Sequence, residues 1–333
     1  RMALLITQWS TRKPLERLLL LLIFVTAIII LVTMNGTFVE KFSEILCLPE
    51  SHLDHPLTEE SLCDEKTHFH VVVVIDSAIK SFDNREAIRA TWANESHYSH
   101  LGYKVRAFFT LGNPELVDAD LRKRVLRERD EHKDIIFINI EEAYKNIIHK
   151  VMYGLKAAVR HCPDTDVVVK ADDDIFVDII RLYDNFMGDR SLSSSLWCTV
   201  NKNSAMRNPG GRWYVDSRIY GGDYPHYCFG SFYTLNMTAL SVLMRMAYCE
   251  PWFWIDDVFI AGDLRVKANI SIRSMSGEET QLSSGYNLDG KEVSMTFAKD
   301  LKIVYHHFIS PAAMRYLWSL VLLLLDEKTN QTS

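Results

Sequence analysis

Residues 166–177 read Asp-Val-Val-Val-Lys-Ala-Asp-Asp-Asp-Ile-Phe-Val, a run of valines ending in one lysine and three consecutive aspartates. An unbroken β-branched run has the composition of a strand buried on both faces. Three carboxylates in succession at the end of such a strand repel one another, so a fold must bring them a counter-charge. A divalent cation meets that need, because hard cations take oxygen ligands and neutralise the cluster. The plain alternative is an acidic turn in which Asp174 caps the next helix. A cap uses one aspartate and has no use for Lys170. The metal reading is the stronger.

The rest of the chain supplies a setting for that cluster. Apolar runs at 69–75, 105–111, 134–140 and 301–305 read as further strands, and 166–171 as the one that delivers the aspartates. Helical patterns lie over 84–92, 115–131, 143–161, 178–187, about 236–247 and 310–325. Alternation of this kind implies βαβ units, hence an α/β fold around a mostly parallel sheet. Ligands of such sheets bind beyond the carboxyl ends of the strands, where the three aspartates fall. Residues 207–235 are rich in Gly, Tyr, Trp and Pro and read as loops and irregular strands. Aromatic surface there, beside Gly230, suits apolar stacking of a carbohydrate and suits plain core equally well. Asp256 and Asp257 stand between two apolar runs; one can cap the helix that follows while the other serves as a general base. The glycine patterns of dinucleotide folds and P-loops are absent.

Composition bears on setting and partners. With 333 residues, 24% charged and a formal net charge of −6, the chain suffices for one large domain or two smaller ones and has no basic stripe for nucleic acid. Residues 18–39 carry no charge, and about 20 such residues span a bilayer as a helix. Arg1, Arg12, Lys13 and Arg17 precede this segment and an acidic stretch follows it, which places the N-terminus in the cytoplasm. The expected organisation is therefore a cytoplasmic tail (1–17), a transmembrane signal-anchor (18–39), a lumenal stem (40–66), a catalytic domain (67–325) and a short tail (326–333). All six cysteines follow the anchor, where disulfides form; sequence leaves their pairing open. Sequons at Asn94, Asn236, Asn269 and Asn330 accord with a lumenal domain.

Several blocks, taken in order, resemble one family. Arg85-Glu-Ala-Ile-Arg89-Ala-Thr91-Trp92 is similar to an R-x-x-I-R-x-T-W helix, and Phe109-Thr-Leu-Gly112 to an F-x-x-G strand end. Tyr144-Lys-Asn146 with Lys150, Lys170-Ala-Asp172-Asp173-Asp174-Ile-Phe-Val177, and Trp213-Tyr-Val215 continue the series. Tyr224-Pro-His-Tyr-Cys228-Phe-Gly230, Asp256-Asp257-Val258 through Gly262, and His307-Phe-Ile-Ser-Pro311 with Trp318 complete it. Together they resemble the inverting β-1,3-galactosyltransferase-like glycosyltransferases, which include β-1,3-N-acetylglucosaminyl- and fringe-type members.

That resemblance implies a GT-A fold, a UDP-sugar donor, a glycan acceptor, Mn2+ and a type II Golgi membrane protein. It makes Asp174 the principal metal ligand, with Asp172 sharing the cation and His307 completing the site; His306 competes with His307 for that role. Asp172 and Asp173 would hold the donor's ribose. Arg85, Arg89 and Lys170 are donor-site candidates, with a structural ion pair the other reading of the two arginines. Asp257 would be the base that takes the proton from the acceptor's 3-hydroxyl. Asp256 stands where the family usually has Glu, Glu142 where it has Asp, and Ile147 where it has Leu. A non-catalytic chaperone or glycan-binding protein would not need all these parts together, and a phosphohydrolase would release UMP or sugar phosphate instead of UDP.

Overall fold

A computed structural model describes residues 62–64, 66–280, 302–307 and 309–332. The cytoplasmic tail, the anchor and nearly all of the stem expected from the sequence lie outside the described residues. Among the described residues no helix is long and apolar enough to cross a membrane.

The strands are β1 (Phe69–Asp76), β2 (Val105–Leu111), β3 (Ile135–Phe137), β4 (Thr165–Asp172), β5 (Phe176–Val177), β6 (Ser195–Asn201), β7 (Tyr227–Asn236), β8 (Ser271–Ser274) and β9 (Tyr305–His306). The longer helices are α1 (Phe82–Ala90), α2 (Ala119–His132), α3 (Ile147–His161), α4 (Ile179–Gly188), α5 (Met237–Ala247) and α6 (Pro311–Thr332). A π-helical segment spans Val258–Leu264. The main sheet runs β3-β2-β1-β4-β7-β6-β8, and β5 pairs with β9 in a separate ribbon. β3, β2, β1 and β4 are mutually parallel, whereas β7 lies antiparallel to both β4 and β6.

The valine runs are continuous because both faces of the sheet are covered. Val71, Val73 and Ile75 enter one core with α1, α4 and α6, while Val72 and Val74 enter the other with α3 and α5. A strand buried on both sides has no polar face to alternate with. The closest approach is at Gly154 of α3, where an added Cβ would stand 2.4 Å from Val74 Cγ1 and 2.7 Å from Thr110 Cγ2. Side-chain caps start three helices: Asp118 accepts from Leu121 N at 2.9 Å, Asp178 from Arg181 N at 3.0 Å and Asn236 from Ala239 N at 2.7 Å. The helix after the triple aspartate is thus capped by Asp178, which leaves Asp174 uncommitted to capping.

Several expectations differ from the structure: the strand expected over 134–140 is Ile135–Phe137, the helix expected from 143 begins at Ile147 after a separate turn at Tyr144–Asn146, and the last helix runs to Thr332. The helix expected from 115 begins at Ala119, because Pro114–Leu116 closes its own turn and Asp118 then supplies the cap. The strand expected over 301–305 pairs only at Tyr305–His306; Val304 instead exchanges backbone bonds with Glu279 and Asp178. The largest difference is β7, a regular interior strand of the sheet that falls almost wholly in the stretch expected to hold loops and irregular strands. Its Gly230, Ser231 and Thr234 break the apolar signal. Even so, Ser231 and Thr234 are buried, and Thr234 Oγ1 donates to Val168 O at 3.1 Å.

Among the described residues two pairs of cysteines are bridged, Cys63–Cys162 and Cys198–Cys228, the latter between β6 and β7, and no described cysteine is free.

Candidate active site

Parallel pairing aligns Asp76 of β1 with Asp172 of β4, so two strands end in carboxylates side by side. The β5–β9 ribbon places Phe176 opposite His306, and Ile309 N donates to Asp174 O at 3.0 Å. These bonds fold the chain back so that His307 faces the turn after β4. One ligand atom each from Asp172, Asp174 and His307 lie within 4.8 Å of one another, and His307 Nε2 is 3.9 Å from Asp174 Oδ1. His306 is turned elsewhere, its Nδ1 3.5 Å from Thr280 O.

The donor set suits a hard divalent cation. Burial lowers the His307 pKa and favours the neutral imidazole that a metal requires. Burial, and then the neighbouring Asp173 charge, raise the pKa of Asp174. A carboxylate short of positive charge at this point is what an added cation would relieve.

Asp173 is aimed away from that cluster. Its Oδ2 accepts from Ser77 Oγ at 2.7 Å and its Oδ1 from Asn84 Nδ2 at 3.2 Å. Behind Ser77 lies Arg85, fully buried, which donates to Ser77 Oγ, to the carbonyls of Ala78 and Ile79, and to Glu128. Arg89 grips Asp134 through two bonds of 2.7 and 2.8 Å and also reaches Glu128 at 2.6 Å. The structure therefore gives both arginines the ion-pair role. They join α1, α2 and the start of β3, and Arg85 acts on the site only through Ser77 and Asp173.

Lys170 sits at the seam of the site. Its buried ammonium donates to Asp172 Oδ1 and to the carbonyl of Gly230 on β7. Burial opposes its charge, but Asp172, Asp256 and Asp76 outweigh that and keep it protonated. Gly230 also allows Asp257 to approach: a Cβ there would stand 3.2 Å from Asp257 Cβ. Asp257 opens the π-helical segment and its Oδ1 accepts from Val258 N at 2.8 Å, so the capping bond falls on the same residue expected to be the base. Burial raises the pKa of both Asp256 and Asp257. For Asp256 the charge of Asp257 adds to the rise and Lys170 opposes it; for Asp257 the backbone of Val258 and Gly230 partly offsets it.

One member of this network, Asp76, carries no motif of its own. Asp76 pairs with Lys150 at 2.9 Å, and Lys150 also meets Ser77 O at 2.9 Å and Glu142 at 3.3 Å. Glu142 accepts from Gly112 N at 2.6 Å, so it clamps the end of β2 to the start of α3. An aspartate closing a buried strand is the one signal that could have marked Asp76; its partnership with Asp172 depends on which strands are neighbours.

Residues 83–276, more than half of the chain, match the family model described as Galactosyltransferase. β-1,3-Galactosyltransferase 5 of Mus musculus is 27% identical over 258 residues, covering 77% of this chain and 80% of that protein. The same enzyme of Pan paniscus is 26% identical, covering 74% of this chain and 79% of that protein. β-1,3-Galactosyltransferase 1 of Mus musculus is 24% identical, covering 79% and 77%. Among solved structures, mouse xyloside xylosyltransferase 1 is 13% identical over 72% of this chain and 97% of that one, with a TM-score of 0.35, too slight a likeness to add weight. On its sequence match and ordered motifs the chain belongs to the β-1,3-galactosyltransferase-like family of glycosyltransferases.

Proposed function

We propose that this glycosyltransferase moves a hexosyl unit, galactose first and N-acetylglucosamine next, from a UDP-sugar to the 3-hydroxyl of a glycan on glycoprotein or glycolipid. The product is a β-1,3 linkage, made with inversion in a GT-A arrangement that uses Mn2+. The enzyme works on the lumenal side of the Golgi membrane, held by a single-pass N-terminal anchor. One observation carries the reading: Lys170 and Gly230 join the donor set of Asp172, Asp174 and His307 to the acid pair Asp256 and Asp257.

Inversion needs a single in-line displacement at the anomeric carbon and no enzyme nucleophile. Asp172, Asp174 and His307 would hold the cation, which when bound supplies positive charge beside the departing pyrophosphate. Asp257 takes the proton of the acceptor hydroxyl as it attacks. The raised pKa improves it as a base at near-neutral pH, because the best catalytic base has a pKa close to the working pH. Lys170 stays charged and fixes Asp172 against β7, which sets the distance between the two halves.

The test is the purified full chain assayed with UDP-galactose and UDP-N-acetylglucosamine against a panel of acceptors. Transfer with release of UDP, lost in EDTA and restored by Mn2+, is expected. Release of UMP or sugar phosphate, or transfer indifferent to EDTA, would overturn the proposal. Protease protection of the domain in sealed Golgi vesicles tests the topology separately.

A further inference from the structure

Beside the acid pair lies a surface that donor chemistry leaves unused. Trp213 and Tyr144 are large rings, yet they are 43% and 39% exposed. Trp213 Nε1 donates to Tyr144 Oη at 2.6 Å, which joins the loop between β6 and β7 to the turn before α3. Tyr144 also meets Trp254 edge-on, with ring centroids 6.3 Å apart, and Trp254 stands two residues before Asp256. Trp254 thus ties the rings to the segment that carries the acid pair, and the charges of Asp256 and Asp257 act on the Tyr144 phenol.

Two cations rest on these rings. The Arg212 guanidinium is centred 4.0 Å over Tyr144, and the Lys145 ammonium is 5.7 Å from the Trp254 centroid. Neither forms an ion pair with a carboxylate among the described residues. A guanidinium stacked on a ring still presents its edge N–H groups, in the fork geometry that fits a carboxylate or sulfate. The rings in turn offer apolar area for the face of a sugar. Structural ion pairing accounts for Arg85 and Arg89; it does not account for Arg212.

We infer that Tyr144, Trp213 and Arg212 form an acceptor subsite that selects a glycan with a negative charge near the reacting hydroxyl, a sulfate ester or a uronate carboxylate. The inference rests on the transferase reading, in which Asp257 meets the acceptor. A purely structural Arg212 would serve only to hold Tyr144 and to offset the acid pair, and its loss would then affect every acceptor alike.

The experiment measures binding, so the two readings fail separately. Methyl β-galactoside, its 6-sulfate and methyl β-glucuronide are titrated into the full-length protein with UDP and Mn2+ present, followed by ligand-observed NMR, and transfer rates are recorded in parallel with UDP-galactose and UDP-N-acetylglucosamine as donors. At least one charged glycoside should bind about five-fold more tightly than the neutral one, the scale of an exposed ion pair. A preference for the sulfate or for the uronate identifies the source of the charge. Arg212→Gln should erase the preference and leave UDP affinity unchanged, Arg212→Lys should keep part of it, and Trp213→Ala should weaken all three ligands together. Equal affinities in the wild type, or an equal loss for all three in Arg212→Gln, would overturn the inference. Charge-selective binding without transfer would sink the transferase reading and leave the subsite standing; transfer without charge preference would do the reverse.

Discussion

On the proposed donor side of the site, Asp76 faces Lys150, Asp172 faces Lys170, and Asp173 is held by Ser77 and Asn84. On the acceptor side, Asp256 and Asp257 are carboxylates of the same kind, but Lys170 is the cation whose charge acts on both and burial dominates their environment. The contrast separates two uses of a buried acid. Pairing fixes a carboxylate in place and in charge, which suits the framework around a pyrophosphate. A carboxylate left short of positive charge is poised to take a proton, which suits a base. On the donor side burial also holds Asp76, despite Lys150 and Lys170, and Asp174 above the ordinary carboxylate range; Asp174 is the one that resemblance makes the metal ligand.

The sharpest break of this comparison is a pair of isosteric changes. Asp257→Asn should lower kcat by about 10²–10⁴-fold, the range general-base catalysis supplies, with the Kd for UDP unchanged. Asp174→Asn should abolish Mn2+-dependent UDP binding itself, measured by calorimetry. If Asp257→Asn retained turnover, or if both variants lost UDP binding equally, the site would not divide along the line drawn here.

Next in size is the seam. Lys170→Met leaves Asp172 and Asp256 without their shared buried cation, and removing one partner of a buried pair costs about 3–5 kcal/mol. A correspondingly lower urea midpoint is expected. Adding Asp256→Asn should recover part of that loss, because it removes one of the stranded charges. No recovery in the double variant would mean that Lys170 acts chiefly through Asp172 and Gly230, and the two halves would be less closely joined than the hydrogen bonds suggest.

Two glycines then distinguish scaffold from site. Gly154→Ala forces a methyl into Val74 and Thr110, and overpacking of this kind costs about 1–3 kcal/mol. Activity per folded molecule should stay unchanged. Gly230→Ala presses on Asp257 from 3.2 Å, tight enough that the acid must give way by a few tenths of an ångström. It should cost little stability and about ten-fold in kcat, since small misplacements of a catalytic group are expensive in rate. Thermal melts alongside initial rates check both; a Gly230→Ala protein with full activity would show that Asp257 is not held by β7.

The donor half was far more legible in the sequence than the acceptor half, for physical reasons. Buried parallel strands write themselves as continuous Val and Ile runs, and Asp172, Asp173 and Asp174 follow one of them directly, so chemistry and position are read together. The acceptor half rests on β7, whose Gly230, Ser231 and Thr234 mimic a loop, although Gly230 lets both Lys170 and the acid pair reach that strand. The roles of Arg85 and Arg89 were open for another reason. A helix periodicity places both on one face, but their partners Glu128 and Asp134 come from about forty residues away. His307 was separated from His306 only by the ribbon pairing of β5 with β9.

The smallest effect expected is also the most specific to the acid pair, because it turns on sign. Burial holds Asp256 and Asp257 above the ordinary carboxylate range. As pH falls from their raised values toward the ordinary one, the folded chain binds more protons than the unfolded chain, so acidification stabilises the fold in that window. The contribution is complete below the unfolded pKa and is lost as pH rises through the folded one. Activity runs the other way, since Asp257 must be ionised to take a proton, and its acid limb should begin at a higher pH than an ordinary carboxylate would give. Profiles of kcat/KM and urea midpoints of metal-free protein, taken from about pH 8 to about pH 4, test both signs. Asp76 and Asp174 are also held above the ordinary range, so the useful quantity is the difference between the wild type and Asp256→Asn. That variant removes one proton-binding group of the pair, so the wild type should gain stability relative to it as pH falls through the window. A difference that stayed flat across the window would mean that Lys170 fully compensates Asp256, and the contrast between the two halves would fail there.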